Sequence, residues 1–450
     1  MKKYLTGLFS VVFVLSGCVP VSTLVPDGTA TAIVSPLIVP AATTANAITP
    51  TITSQPATPT LTAASLPDGL VVAYVLKDAI WLWKQNRAQL LIEREGVFAP
   101  LLSDDRQWLI FKQRHLDEVL SEEVWVMRTD GSELHRLLGP EELLSLTEEG
   151  TILLANDIRW LPGRHELLFN TLGRIDGPPE WVPVFDLHLL DLSGQVTHLA
   201  DPGQGGEFVL SPDGSQVAVA APSRIGMIDL KSGEQRTLLE FEPVGFGSDY
   251  LGTPDVVWDP QSQFIMTSIL PPKLYSLEEY AGEPAQVWRL FVNGKVELVA
   301  DLQPFAPAAG IVFAPNLQYF FYLNDSCSDG MGMLYVHTLT SGDETPLFCV
   351  WELPQWLPDD EHFIHQTDWL WQLGSIVDHT NQPLDVLNLP TDPSVRASPP
   401  LTWIDDEYFL LTLYSDDACM LHVATLQGVV TEIARTPRDS CPEADFSLSK

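Results

Sequence analysis

Residues 207–239 read EFVLSPDGSQVAVAAPSRIGMIDLKSGEQRTLL. Phe208-Val209-Leu210 is a short apolar run, and Ser211-Pro212-Asp213-Gly214 breaks it. Proline at the second place of such a turn presets φ, and glycine suits the fourth place of a type I turn. Gln216 to Ala220 and Ile225 to Leu230 are further apolar runs. Ser232-Gly233 turns the chain again, and Gln235 to Leu239 completes a set of four short strands.

The same grammar recurs along the chain. A large apolar residue followed by a turn rich in Pro, Asp, Asn or Gly stands at Leu102, Trp160, Trp258, Phe313, Trp356 and Trp403. With Leu210 included, these anchors lie 58, 50, 48, 55, 43 and 47 residues apart. A second hairpin signal recurs at Gly131, Gly194, Gly233, Gly294, Gly342 and Gly428, as expected where glycine turns two twisted strands. Four strands in a unit of about 40 to 55 residues is the blade of a β-propeller. The predicted class is therefore all-β, with a single propeller of four-stranded blades over residues 67–450. Seven anchors give seven units. Residues 70–74, 79–83 and 88–92 form three strands with no first strand before them, whereas Asp445 to Ser449 resembles a first strand with no blade after it. Joining them makes eight blades rather than seven and closes the ring through its termini, which removes an open edge.

The run from Leu210 to Val219, Leu-Ser-Pro-Asp-Gly-x-x-Val-Ala-Val, resembles the repeat of TolB and related TolB-type propellers. Elsewhere the Asp or Gly of that motif is replaced, as at Gly163, Gln261 and Asn316. The resemblance implies the same architecture for the whole region after residue 66.

The amino terminus speaks to the compartment. Lys2 and Lys3 precede an apolar stretch from Leu5 to Leu15, the layout of a secretory signal peptide. The stretch is shorter than the roughly 20 residues needed to span a bilayer. It ends in Leu15-Ser16-Gly17-Cys18, which resembles the lipobox of bacterial lipoproteins. That resemblance implies removal of residues 1–17 and lipidation of Cys18, with the membrane as one partner. Residues 18–66 are rich in Thr, Pro and Ala, hold one charge, Asp27, and no aromatic residue. They read as a disordered tether. Without Lys2 and Lys3, 22 basic residues face 59 acidic ones, a net charge of −37. Such a surface repels phosphate backbones, so nucleic acid is not an expected partner.

Searches for chemistry fail. There is no Gly-x-Ser-x-Gly elbow, no phosphate loop, and no second histidine to complete a zinc motif after His165-Glu166,. Asp325 to Gly330 has the start of a calcium loop, but the twelfth position, where a bidentate Glu is needed, is Val336,. Asp104-Asp105, Asp359-Asp360 and Asp405-Asp406 fall in the recurring turn, so turn chemistry explains them. No metal and no cofactor is expected.

The four cysteines after Cys18 allow three pairings. Cys327 and Cys349 share one unit, and Cys419 and Cys441 share another. In each pair the first residue precedes the third strand and the second ends or follows the fourth. Pairing within a unit is therefore expected, with Cys349 opposite about Leu334 and Cys419 opposite about Thr436.

The connections differ between the two faces of the ring. Turns between strands one and two, and three and four, are short. The other connections are long: 113–123, 139–157, 173–183, 242–254 and 270–284. They carry Trp181, Tyr250, Tyr275 and Tyr280, residue types suited to binding hot spots. The expected function is a non-catalytic envelope binding or scaffolding module for a protein or glycan. The alternative is a glycan lyase or hydrolase that uses carboxylates in the channel.

Overall fold

In a computed structural model of the chain, the described residues are 66–115, 121–146, 151–175, 180–246, 250–271, 284–302, 310–327, 331–367, 370–384, 396–438 and 441–447. Residues 1–65, which hold the expected signal peptide, Cys18 and all but the last residue of the expected tether, lie outside them, as do Tyr275 and Tyr280. The described chain forms an eight-bladed propeller of antiparallel four-stranded sheets. Numbered along the chain, blades 2 to 8 begin with Val97–Leu102, Leu153–Trp160, Glu207–Leu210, Val256–Trp258, Ile311–Phe313, Gln355–Trp356 and Arg396–Trp403. Blade 1 takes Val71–Val75, Ala79–Lys84 and Arg87–Glu93 from one end of the chain and Ala444–Ser447 from the other. In the closing register Val71 faces Ser447 and Tyr74 faces Ala444. Pro140–Leu144 is the one α-helix among the described residues.

The core is divided as the blades are. Among the described residues eight clusters of buried apolar residues occur, one between each neighbouring pair of blades, including blades 8 and 1. Within a strand, alternate residues serve opposite neighbours. Val72 and Tyr74 pack towards blade 8, Val71 and Ala73 towards blade 2. A middle strand is thus buried on both faces, which is why Val217 to Ala221 reads as an unbroken apolar run and why all eight residues of Ala418–Thr425, His422 and Thr425 included, are buried.

The anchor residues gain a structural reason. The indole Nε1 of Trp160 donates to Leu101 O at 3.1 Å, that of Trp258 to Val209 O at 2.9 Å, and that of Trp356 to Val312 O at 3.2 Å. Each bond crosses from the first strand of one blade to the first strand of the blade before it. Trp403 breaks the series, because its buried Nε1 has no partner. At that seam the Gln355 side chain donates to Leu401 O at 2.7 Å and accepts from Leu401 N at 2.8 Å.

The acidic pairs act in turns as their positions implied. Asp105 Oδ1 accepts from Ser103 Oγ and Gln107 N, Asp359 Oδ1 from Glu361 N and His362 N, and Asp405 Oδ1 from Glu407 N and Tyr408 N. Gly214 holds φ at +68° and Gly131 at +88°, the left-handed region these turns require,.

Both disulfides pair as expected, Cys327 with Cys349 and Cys419 with Cys441, at Cα separations of 6.1 and 5.2 Å. Cys419 faces Thr436. Cys349 faces Met333 rather than Leu334, because the register slips between Met333 and Tyr335. Each bridge closes a loop of 22 residues, worth about 3 kcal/mol through the unfolded state. One expected long connection is much shorter. The ladder between Trp108–His115 and Ser121–Arg128 continues through Gln113↔Glu123 and His115↔Ser121, and Arg114 Nη2 reaches Glu122 Oε1 at 2.7 Å across it.

Candidate functional site

Each first strand starts at the face that carries the connections between blades, so its opening residues line the channel mouth on that face. Three added elements stand there too. They are the helix Pro140–Leu144, the strand Trp181–Pro183 laid against Glu166–Arg174, and a hairpin of Val244–Phe246 with Tyr250–Gly252. Trp181 is half-buried opposite Arg174, and Tyr250 pairs through its backbone with Phe246. Of the ten exposed large apolar side chains among the described residues, five belong to this face: Leu144, Ile175, Leu251, Trp351 and Leu370. Trp351 is the one exposed aromatic side chain among the described residues.

The mouth itself is acidic. Asp157, Glu207 and Asp255 each lie three residues before the anchors Trp160, Leu210 and Trp258, so they occupy equivalent places in blades 3, 4 and 5. In blade 1 Glu443 stands three residues before Phe446. Its Oε2 accepts from Ala99 N, the equivalent place in blade 2, at 2.7 Å. Glu207 and Asp255 reach water, yet protein surrounds them closely enough to oppose ionisation. Burial, with Asp255 and Asp157 adding like charge, pushes the Glu207 carboxyl up to about 6,. Burial also raises Asp255 above the usual carboxylate range.

Asp157 owes its position to a β-bulge. The pairing of Leu153–Trp160 with Glu166–Arg174 slips between Ala155 and Ile158, leaving Asn156 and Asp157 outside the ladder. Bulges re-aim side chains at the rims of barrels and sites. Two side chains satisfy the freed backbone. Lys112 Nζ, from blade 2, donates to Ala155 O at 2.6 Å and Asn156 O at 2.7 Å. Asn170 Oδ1 accepts from Asp157 N at 3.0 Å while its Nδ2 donates to Gly206 O at 3.1 Å. The buried Asn170 amide therefore joins the backbone at Asp157 to the backbone beside Glu207. Burial lowers the Lys112 pKa, opposed by Glu122, Asp157 and Glu443.

The approach to Glu207 is equally constrained. A Cβ on Gly205 would sit 2.3 Å from Asp186 C, and one on Gly206 would sit 2.2 Å from Ala220 O. Asp186 is itself fixed by Thr171, whose N and Oγ1 donate to it at 2.8 and 2.6 Å, and by His188 Nε2 at 2.9 Å. A carboxyl that burial pushes up to about 6 can donate or accept a proton near neutral pH, as acid–base chemistry requires,. The same arc can attract a positively charged group.

Sequence reading had singled out the loop aromatics and passed over these carboxylates. The signal was present as an acidic residue three places before the anchor in three successive units.

No protein-family model matches the chain, and no curated protein sequence matches it. Solved structures do. Oligogalacturonate lyase in complex with manganese shares 14% identity over 68% of this chain and 81% of its own, with a TM-score of 0.40. TolB from Acinetobacter baumannii shares 15% over 63% and 64%, with a TM-score of 0.30. Dihydro-heme d1 dehydrogenase NirN shares 14% over 84% and 74%, with a TM-score of 0.47. The neighbours thus include a lyase, a dehydrogenase and TolB.

Proposed function

We propose that the protein is a non-catalytic binding or scaffolding propeller, lipid-anchored through Cys18 on the extracytoplasmic side of a membrane. Its elaborated face engages a protein or a glycan. The observation that carries this reading is the placement of the added helix, strand and hairpin, with the exposed Trp351, on one face of the ring. Binding residues concentrate on connections held by a rigid scaffold. The test is fractionation of envelope extracts with the full chain and with Cys18→Ala. The wild type should sediment with membranes and the variant remain soluble while retaining a defined protein or glycan. A variant that stays on the membrane removes the anchor, and a soluble variant that retains nothing removes the binding role.

A second reading has a specific observation behind it. The carboxylates Asp157, Glu207 and Asp255 meet at one arc of the channel mouth, as a carbohydrate lyase or hydrolase would require. Release of unsaturated or reducing ends from an acidic or neutral polysaccharide, lost in Glu207→Gln, would establish that reading over the first.

A further inference from the structure

Blade 3 brings two imidazoles together on its outer strands. His188 lies on the third strand, Leu187–Asp191, directly opposite His198 on the fourth, Val196–Ala200. The register slips between Leu187 and His188, which leaves Leu199 as an extra residue beside His198. Such a bulge re-aims the side chains next to it. The two rings stand 4.7 Å apart between centres, at 79° to each other. His188 is fully buried, with the Phe169 ring 5.0 Å away, whereas His198 is exposed.

The state of the His188 ring follows from its neighbours. Burial opposes ionisation of Asp186, but hydrogen bonds from His188 and Thr171 hold its carboxyl below the usual carboxylate range,. An ionised carboxylate only accepts. Asp186 Oδ2 therefore takes the Nε2 proton of His188 at 2.9 Å, while Thr171 N and Oγ1 fix the carboxylate in place. In the neutral ring that leaves Nδ1 with its lone pair, and Nδ1 is buried without a hydrogen-bond partner. A carboxylate on one ring nitrogen and a free lone pair on the other is the arrangement of a metal-binding histidine. The spacing of the rings agrees. Two imidazoles that share one ion at roughly 2.0–2.1 Å, with ligand angles of about 90–110°, have centres about 5 Å apart.

We propose that His188 and His198 form a binding site for a divalent transition-metal ion of the Zn²⁺, Cu²⁺ or Ni²⁺ class. Imidazole suits these ions. Asp186 orients His188 from behind without touching the ion, and an outward turn of the exposed His198 ring lets it enter. Among the described residues no group of three imidazoles, carboxylates or thiolates is assembled, so water fills the remaining positions. The ion ties the two outer strands of blade 3 together at their register slip. A separation of ten residues matches no zinc motif,, so the site emerges only from the pairing of the strands. His422 supplies the comparison. Its Nδ1 is also buried without a partner and its Nε2 lies 3.6 Å from Glu432 Oε2, but its cross-strand neighbours are Leu411 and Glu432. The inference is independent of the binding role proposed above.

The test is titration of the full chain, first treated with a chelator, with Zn²⁺ alone and with Cu²⁺ alone, followed by calorimetry and thermal unfolding. One site per chain is expected, with a higher unfolding temperature in excess metal. His198→Ala should weaken binding by more than about tenfold, and Asp186→Asn by about 10–100-fold. His422→Gln should leave it unchanged, as should His379→Ala, which removes an exposed imidazole elsewhere. The electron paramagnetic resonance spectrum of the Cu²⁺ form should show two nitrogen ligands in the wild type and one fewer in His198→Ala. Unchanged affinity in His198→Ala, or equal losses in His198→Ala and His379→Ala, would reduce the binding to scattered surface imidazoles and overturn the proposal. Absence of saturable binding at one equivalent would overturn it too. His198 is exposed, so its variant should unfold at the wild-type temperature without metal, which separates loss of a ligand from loss of the fold.

Discussion

A carboxyl group drifts towards neutrality when protein displaces its water and other acids surround it, and Glu207 meets both conditions,. Its unfolded counterpart ionises near pH 4.3, whereas the folded group holds its proton to about 6. Ionisation is therefore harder in the folded state, and Glu207 withdraws stability as pH rises through that window, with none withdrawn below it. Glu207→Gln should remove the loss. Its unfolding midpoint should match the wild type near pH 4 and exceed it near pH 7. Parallel curves across that range would show that Glu207 ionises normally. Asp255→Asn should also bring the Glu207 carboxyl resonance back towards its ordinary midpoint in an NMR titration. None of this was evident from Glu207 alone, which opens the most regular repeat of the chain yet has no unusual neighbour in sequence. Its partners arrive from 50 residues earlier and 48 later, and only the ring brings them together. Trp351 was passed over for a related reason, since it follows a strand end among Glu352, Leu353 and Pro354 without any periodic signal.

Among elements, the first strand is the one whose end the sequence marks most clearly, by a large apolar residue and a turn. The structure adds what tryptophan does there, which is to tie a blade to the one before it. Trp258→Phe keeps the ring in its apolar setting but leaves Val209 O without its donor. We expect a loss of about 1–3 kcal/mol, read as a lower urea midpoint. Trp403→Phe should cost less, because its Nε1 has no acceptor to lose. A Trp403 variant as costly as the Trp258 variant would mean that volume, and not the hydrogen bond, is what the indole provides. Strands of three residues escape such reading. Trp181–Pro183, Val244–Phe246 and Tyr250–Gly252 are too short to show a period of two. Gln355–Trp356, a first strand of two residues, leaves blade 7 with almost no strand to read ahead of its Trp anchor.

At the scale of the molecule, the ring depends on a strand from the far end of the chain. Ala444–Ser447 supplies blade 1 with its inner edge, buries Phe446 to 3% exposure, and caps blade 2 through Glu443 and through Asp445, whose Oδ2 accepts from Leu102 N at 2.7 Å. Deleting residues 444–450 should expose the edge of Val71–Val75 and open the cluster between blades 8 and 1. The expected outcome is a lower unfolding temperature with dimers or aggregates in sedimentation. A truncated chain that stays monomeric and equally stable would exclude closure by this strand. That closure was legible because each end of the chain held the part of a blade that the other lacked. The cluster of carboxylates was not, since equivalent positions in different units become neighbours only once the ring is curved.

The closing strand also decides how the domain bears tension. Leu66, the first described residue, packs into the cluster shared by blades 8 and 1, and a few residues later the chain enters Val71–Val75. That strand has Ala79–Lys84 on one side and Ala444–Ser447 on the other. A pull along it from residue 66 must slide it against two ladders at once, with their hydrogen bonds sharing the load. A strand at a free edge would peel away one bond at a time. Movement of whatever lies ahead of Leu66 is thus resisted by a strand paired on both sides, and the face that carries the connections between blades is shielded from the strain.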